Sequence, residues 1–362
     1  MRSFTPILCW VILGPTLLAA STLEELQARA TQGEAVAQDA LGLRYAAGDG
    51  APKDDAEAAK WFRKAAEQGF AAAQYNLGVE YDRGQGVQQN IYEAAKWYRM
   101  AADQGFAQAQ FDIGTMYKNG VGVKQDVAEG VRWYRKAADQ GYALAQYNLG
   151  VDFAQGDGVS QDFVEATKWY RMAADQGYDQ AQNNLGALYE KGSGITRDCA
   201  IAAALYLKAA DQGFAQAQNN LGVLYENGNG IAKNSTLAAM WYRKAADQGY
   251  APAQHNLAVL YDDGNGVEQS ETEAAKWYLK AAKQGFTGSQ YNLGLLYMNG
   301  QLGEKNYVEG FAWISVAALS GNSFVVENRD KLQPSLGTDA LLASKQRTNE
   351  ILIQIEAAKH QR

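Results

Sequence analysis

Apolar and small residues recur every four positions inside short segments of this chain. In AAAQYNLGVEYDR, residues 71–83, that spacing holds Ala73, Leu77 and Tyr81, which places them on one face of a helix. The same columns return along the chain. Tyrosine or phenylalanine stands at Tyr45, Tyr81, Tyr117, Phe153, Tyr189, Tyr225, Tyr261 and Tyr297. Leucine or isoleucine lies four residues before each, and alanine or serine four before that, as at Ala37 and Ala73. A helix is predicted over roughly Ala71 to Arg83, stopped by Gly84. A second follows. Asn90 is its N-cap residue, and Glu93 three positions on completes the pattern of a capping box. Asp54/Glu57, Asp126/Glu129, Asp162/Glu165, Ser270/Glu273 and Asn306/Glu309 repeat the pair. In EAAKWYRMAADQG, Trp97 shares a helical face with Ala94, Ala101 and Ala102, and Gly105 ends the segment in the left-handed conformation that glycine enters cheaply. Each unit therefore reads helix, turn, helix, turn.

The units share one period. Gln-Gly occurs at Gln32-Gly33, Gln68-Gly69, Gln104-Gly105, Gln140-Gly141, Gln176-Gly177, Gln212-Gly213, Gln248-Gly249 and Gln284-Gly285, 36 residues apart each time, and Gly321 falls 36 after Gly285. Gly33 to Gly321 thus divides into eight units without insertion. One unit cannot bury both of its faces, so stacking must supply the core, with alanine pairs allowing close helix approach and the tyrosine and tryptophan columns filling the space between units. The predicted fold is all-α, a right-handed α/α solenoid of eight 36-residue helix-turn-helix repeats with a C-terminal helical cap.

Gly84-Gln85-Gly86-Val87 raises the question of a phosphate loop, since paired glycines let backbone N–H groups approach an anion. Such a loop follows a strand and carries a lysine with serine or threonine. This one follows a helix and recurs as Gly48/Gly50, Gly84/Gly86, Gly120/Gly122, Gly156/Gly158, Gly192/Gly194, Gly228/Gly230 and Gly264/Gly266. It is a turn that steers one helix into the next.

The pattern A-x-x-x-L-G-x-x-Y-x-x-G-x-G-V, an acidic cap, then A-x-x-W-Y-x-x-A-A-x-x-G resembles the Sel-1-like repeat, a relative of the tetratricopeptide repeat. Residues 69–105 carry nearly all of it, and the resemblance covers 34–321. It implies an interaction scaffold of the kind found in bacterial envelopes and the endoplasmic-reticulum lumen, one that assembles or regulates other proteins and is not an enzyme. A cysteine-rich branch of the family is associated with β-lactam binding or hydrolysis. A secreted hydrolase or ligand-binding protein of that branch is the alternative reading, but this chain lacks the cysteine pairs. Several positions depart from the pattern: Leu205 for tryptophan, Ile201 and Leu237 for the capping glutamate, Ala258 for a helix-packing glycine and Leu302 for a loop glycine. They mark a bend, a partner site or simple drift.

The remaining segments flank the repeats. Arg2, the apolar run Pro6 to Ala20 and the small residues Ala19, Ala20 and Ser21 form a secretory signal peptide, too short and too interrupted by Gly14-Pro15 to span a bilayer. The domain reading is 1–20 cleaved signal, 21–33 lead-in helix, 34–321 repeats and 322–362 capping helices. Ser323 to Leu332 is read as one helix ending before Pro334. Thr338 to His360 is read as a longer amphipathic helix, with Leu341, Leu342, Ile351, Leu352 and Ile355 for its apolar face. That helix either caps the open end of the stack or binds a partner. The expected location is periplasmic or secreted, or the secretory-pathway lumen in a eukaryote, with no membrane insertion after signal cleavage. Cys9 and Cys199 are the two cysteines, and cleavage would leave Cys199 alone. With 33 Lys and Arg against 40 Asp and Glu, the net charge of −7 does not suit a nucleic-acid surface.

Candidate chemistry is sparse. No HExxH or CxxC occurs, the histidines are His255 and His360, and no catalytic, cofactor or metal residue is assigned. The expected partner is a protein or peptide. By the resemblance, first helices line a concave surface. Two columns there are candidates for a partner-binding groove. One varies: Tyr75, Phe111, Tyr147, Asn183, Asn219, His255 and Tyr291. The other is largely asparagine: Asn76, Asn148, Asn184, Asn220, Asn256 and Asn292, with Asp112 among them. Aromatics suit interface anchors, and asparagine can both donate to and accept from a peptide backbone. The asparagines can equally bond the neighbouring unit's loop and hold the stack, which their near-constancy favours.

Overall fold

The computed structural model describes residues 22–360, so the leader read at 1–20 and Cys9 lie outside it. Among the described residues there are nineteen α-helices and no strand. They fall into two units, one ending at Tyr178 and one starting at Asp179. Each unit is a stack of four helix-turn-helix repeats, and the chain is an all-α solenoid. In the first unit a lead-in helix, Leu23–Thr31, precedes first helices Ala35–Ala47, Ala71–Arg83, Ala107–Asn119 and Ala143–Gln155 and second helices Asp55–Glu67, Ile91–Asp103, Val127–Asp139 and Phe163–Asp175. In the second unit the first helices are Asp179–Lys191, Ala215–Asn227, Ala251–Asp263 and Thr287–Asn299, and the second helices are Cys199–Asp211, Ser235–Asp247, Glu271–Ala282 and Tyr307–Ala318. Helices Ser323–Leu332 and Thr338–His360 follow, separated by a 3-10 turn over Gln333–Ser335.

The caps form half of the expected motif. Asn90 accepts from the N–H groups of Tyr92 and Glu93 at 3.1 and 3.2 Å, and Asp54, Asp126, Asp162, Ser270 and Asn306 cap their helices in the same way. The reciprocal bond from glutamate to the cap's own N–H is not made at these sites, because that N–H is already committed. Asn90 N–H donates to the Tyr81 carbonyl at 2.9 Å, and Asp162 N–H to that of Phe153 at 2.8 Å. The freed glutamate turns to a cation one helical turn on, as Glu129 does to Arg132. Among the described residues both halves form at Thr22 and Glu25, where the Thr22 N–H donates to the glutamate at 3.0 Å.

Seven of the eight repeats join a buried glutamine of the first helix to the glutamine of Gln-Gly, a pair that periodicity alone did not assign; the eighth has Gln290 but Ser320 at the second position. Gln74 sits in the core at 1% exposure and donates through Nε2 to the Ala66 carbonyl of the preceding second helix at 3.2 Å. Its Oε1 accepts from Gln104, the glutamine of Gln-Gly at the end of its own repeat, at 2.7 Å. Gln110 bonds Ala102 and Gln140, Gln146 bonds Ala138 and Gln176, Gln218 bonds Ala210 and Gln248, and Gln254 bonds Ala246 and Gln284. Each pair joins the first helix to the helices before and after it. The carbonyls at the end of one second helix and a side chain at the end of the next are satisfied together.

Around this ladder the repeats interlock through arginine and aromatic rings. Arg99 donates to the Tyr117 hydroxyl of the next first helix at 3.1 Å and lies 4.9 Å from the Trp133 ring of the next second helix. Arg135 sits over Phe153 and Trp169, and Arg243 over Tyr261 and Trp277. The helices approach closely at Gly78, where a Cβ would meet the Tyr98 ring at 2.7 Å. Gly86, at φ 66°, lies against the start of the previous second helix. A Cβ there would come 1.9 Å from the Asp55 carbonyl oxygen, so the loop glycine serves both the turn and the stack.

At the C-terminal end, Thr338–His360 packs on Tyr307–Ala318. Ile351 and Ile355 enter one core cluster with Ala312, Trp313 and Val316, while Arg347 donates to Glu309 at 2.7 Å. Leu341 and Leu352 are half-buried. Leu342, read from the sequence as part of that face, is 70% exposed. At 100° per residue it falls off the stripe that runs through Leu341, Ser344, Ile351 and Ile355.

The first unit holds several carboxyls away from water. Glu80 occupies the column held elsewhere by Met116, Leu188, Leu224, Leu260 and Leu296. Burial lifts it to about 7; the Asp55 charge adds to this, while Arg83 and Lys53 oppose it. Burial also lifts Asp39 and Asp112 to about 7, against hydrogen bonds from Asn76 and Tyr75, and Asp152 to about 6, against Lys118. A carboxyl whose folded value lies above its unfolded value of about 4 takes up a proton on folding. Its stabilising contribution is complete below about 4 and is lost as pH rises through about 7.

Two outcomes follow from this packing. Gln110→Leu removes two hydrogen bonds, one to the Ala102 carbonyl, which the Gly105 N–H still meets, and one from the Gln140 amide, which lies at the surface, and it should cost about 1–2 kcal/mol in urea unfolding. Glu80→Gln should raise the melting midpoint by about 2–4 °C at pH 8, a change of about 1 kcal/mol, and leave it unmoved at pH 4.5. Melts of the two proteins at both pH values check this.

Candidate partner-binding face

All of the candidate groove residues lie on first helices, and none is fully exposed. In the first unit, Tyr75, Phe111 and Tyr147 occupy the same position in three successive repeats. Each is half-buried and held between two rings: Tyr75 between Tyr98 and Phe106 at 5.6 and 5.1 Å, Phe111 between Tyr134 and Tyr142 at 5.0 and 5.6 Å, and Tyr147 between Tyr170 and Tyr178 at 6.0 and 5.1 Å. One neighbouring ring comes from the same repeat's second helix, and the other from the residue that caps the next first helix. Such boxes hold each ring in one orientation while part of its surface remains exposed.

In the second unit the same position holds Asn183 and Asn219, both buried, then His255 and Tyr291. His255 lies between Tyr278 and Phe286, and Tyr291 meets Phe324 edge-on at 5.7 Å.

The asparagine column bonds the varying column of the repeat before it. Asn76 donates to Asp39 at 2.8 Å, Asn220 to Asn183 at 3.0 Å, and Asn256 to Asn219 at 3.0 Å. Asp112 accepts from Tyr75 in the same arrangement. Asn184 accepts from Asn183 at 3.2 Å. Two members turn elsewhere, each for a chemical reason. Phe111 offers no acceptor, so Asn148 donates to its own helix at the Leu144 carbonyl, 2.8 Å away. His255 is taken by Ser289, so Asn292 donates to the Tyr278 hydroxyl at 3.1 Å. The partner is thus the neighbouring first helix and not a loop, because first helices pack side by side with these columns in contact.

His255 Nδ1 lies 2.9 Å from Ser289 Oγ. Sequence reasoning did not find this partner; its one signal was serine in a column otherwise held by alanine. The pair has the atoms of a nucleophile and base but not their properties. Ser289 is wholly buried, and burial holds His255 down at about 4, too weak a base to activate a hydroxyl at neutral pH. Cys199 is half-buried at the first turn of its helix. Among the described residues no three His, Cys, Asp or Glu side chains are grouped to hold a metal, and no helix is long and apolar enough to cross a membrane.

A further column on this face was missed because its residues vary and match no motif. Glu190 accepts from the Tyr206 hydroxyl at 2.8 Å, and Glu226 from that of Tyr242 at 2.6 Å. Lys118 takes the same position in the third repeat and pairs with Asp152 and Asp157. The first-helix face is consequently aromatic at its centre in the first unit and amide-rich and acidic in the second.

Comparison with known proteins accounts for this architecture. A family model described as Sel1 repeat matches eight times without a gap, over residues 35–70, 71–106, 107–142, 143–178, 179–214, 215–250, 251–286 and 287–322. Among solved structures, a protective antigen of uropathogenic Escherichia coli strains, displaying an SLR fold, is 31% identical. It covers 92% of this chain and 95% of its own, with a TM-score of 0.60. A Sel1 repeat protein from Oxalobacter formigenes is 32% identical over 67% of this chain and 96% of its own, also with a TM-score of 0.60. No curated protein matches the chain. The chain belongs to the Sel1 repeat family, and as a member of it is a non-catalytic helical scaffold for protein–protein contact.

Proposed function

We propose that the chain is an exported scaffold whose first-helix face holds a segment of a partner protein, in the assembly or regulation of an envelope or secretory-pathway complex. The observation that carries this reading is the row of Tyr75, Phe111 and Tyr147. Three half-buried rings, each packed between two others, stand at one position in consecutive repeats. Rings fixed before binding lose little freedom when a partner seats on them, which favours affinity for a given contact area. The Asp39–Asn76 and Tyr75–Asp112 bonds hold the helices beneath at fixed spacing. Export rests on the run Pro6 to Ala20 and the small residues that follow it. In this reading 1–20 is removed, 21–33 leads in, 34–321 is the scaffold and 322–362 closes its end.

Two measurements test the proposal. The chain recovered from outside the cytoplasm should have the intact mass of residues 21–362; retention of 1–20 would overturn the export reading. Crosslinking in the native compartment should join a protein partner to the first-helix face of the first unit. A triple variant, Tyr75→Ala, Phe111→Ala and Tyr147→Ala, should lose that partner while its circular dichroism remains helical. A partner retained by the folded triple variant places binding elsewhere.

A further inference from the structure

The solvent-facing side of the second helices carries a repeated ion pair. Glu57–Lys60, Glu93–Lys96, Glu129–Arg132, Glu165–Lys168 and Glu273–Lys276 join residues three apart at 2.8, 3.8, 2.5, 3.7 and 2.6 Å. Two adjacent repeats break the series. The fifth has Ile201 and Ala204 at these positions, and the sixth has Leu237 and Met240. Ile201 is 41% exposed and Met240 40%, Ala204 is exposed and Leu237 half-buried. Leu207, where five other repeats carry arginine, adds a further exposed side chain. The two helices are neighbours: Trp241 of the sixth repeat shares a core cluster with Ala203 and Tyr206 of the fifth. Exposed Met100 and Met172 in the first unit stand singly beside intact ion pairs, whereas here both charges are gone from two helices side by side.

The eighth repeat supplies a precedent for what covers such a face. It retains Glu309 but has Ala312 where the five paired repeats have lysine or arginine, and Ala312 is wholly buried. The cover is the amphipathic helix Thr338–His360, which seats Ile351 and Ile355 against Ala312, Trp313 and Val316 and meets Glu309 with Arg347. Where the charge leaves this face of the repeat, an amphipathic helix lies on it, and its polar side answers the charge that remains.

We propose that the outer face of the fifth and sixth repeats docks an amphipathic helix of a partner protein that carries carboxylates beside its apolar stripe. The charge follows from what the patch keeps. Lys208 and Lys244 lie one turn beyond Ala204 and Met240 on the same stripes, and both are exposed. The size of the face selects a single helix. Two helices of 13 residues, each about 20 Å long and spaced about 10 Å apart, offer about 400 Å². That is about half of what each partner of a stable dimer buries, so a second copy of this chain is disfavoured. The proposal is independent of the first-helix face, which lies on other helices.

The test uses two synthetic 20-residue helices with leucine at i, i+3, i+4 and i+7, one flanked by glutamate and one by lysine. Their affinities are measured by fluorescence anisotropy against the chain without residues 1–20. The comparison protein carries Ile201→Glu, Ala204→Lys, Leu237→Glu and Met240→Lys, which restores the pair found in five other repeats and should therefore fold. A second protein with Ile201→Glu and Ala204→Lys alone serves should the fourfold variant melt early. The glutamate-flanked helix should bind the unaltered chain at least about tenfold more tightly than the fourfold variant, with an intermediate loss in the double variant. It should also bind at least about tenfold more tightly than the lysine-flanked helix. Equal binding to all three proteins, no binding, or preference for the lysine-flanked helix overturns the proposal. So does self-association in sedimentation velocity, or binding to phosphatidylglycerol vesicles, that the fourfold variant abolishes.

Discussion

The buried glutamine of each first helix is the interaction on which the stack depends. Its carboxamide has one donor group and one acceptor directed at two different helices: the carbonyl at the end of the preceding second helix and, in all but the eighth repeat, the amide of the glutamine that closes its own repeat. A core of alanine and leucine can slide, because apolar contact has no direction. An amide pair at 2.7 Å cannot slide without unpairing the buried Gln74 carboxamide. The 36-residue period can therefore run through eight repeats without insertion, since an added residue would break a bond at every level it displaced.

Further from this ladder the repeat tolerates change. The varying and asparagine columns are coupled: a donor or acceptor in one repeat is matched by its complement in the next, and where phenylalanine or an occupied histidine removes the acceptor the asparagine turns to another oxygen. The Arg–Tyr–Trp interlock gives way at Leu207 and Leu279 without loss of the helices that carry them. At the solvent-facing ion pairs the constraint is weaker still, because exposed pairs contribute little to stability. Positions under the least structural constraint can be reassigned to binding at the smallest cost, and Ile201, Ala204, Leu237 and Met240 lie there.

Much of the architecture was legible from periodicity. The alanine, leucine and tyrosine columns located the first helices, Trp97 and its alanines the second, and the glycines the turns between them. Less was legible about polar side chains. The capping boxes read at Asn90 and its equivalents formed only in part, because sequence spacing could not reveal that Tyr81 would claim the cap's N–H. The glutamines at 74 and 104 stood in plain columns, yet thirty residues separate the partners and no local rule joins them. Of the candidate face, the residues were visible but their surroundings were not. Tyr75 reads as a surface anchor until Tyr98 and Phe106 are placed around it.

The amino-acid sequence by itself determined the helical class, the number and length of the repeats and the absence of a motif for metal, nucleotide or nucleophile chemistry. Those properties depend on residues within about one turn of each other, or on a period long enough to be read directly. Tertiary structure alone decided which polar groups are spent within the stack and which remain for a partner. It buried Glu80, Asp39 and Asp112, placed Ser289 against a histidine held neutral, and laid the last helix over Ala312. These outcomes depend on which helices become neighbours, and a side chain's partners are set by that packing and not by its place in the chain.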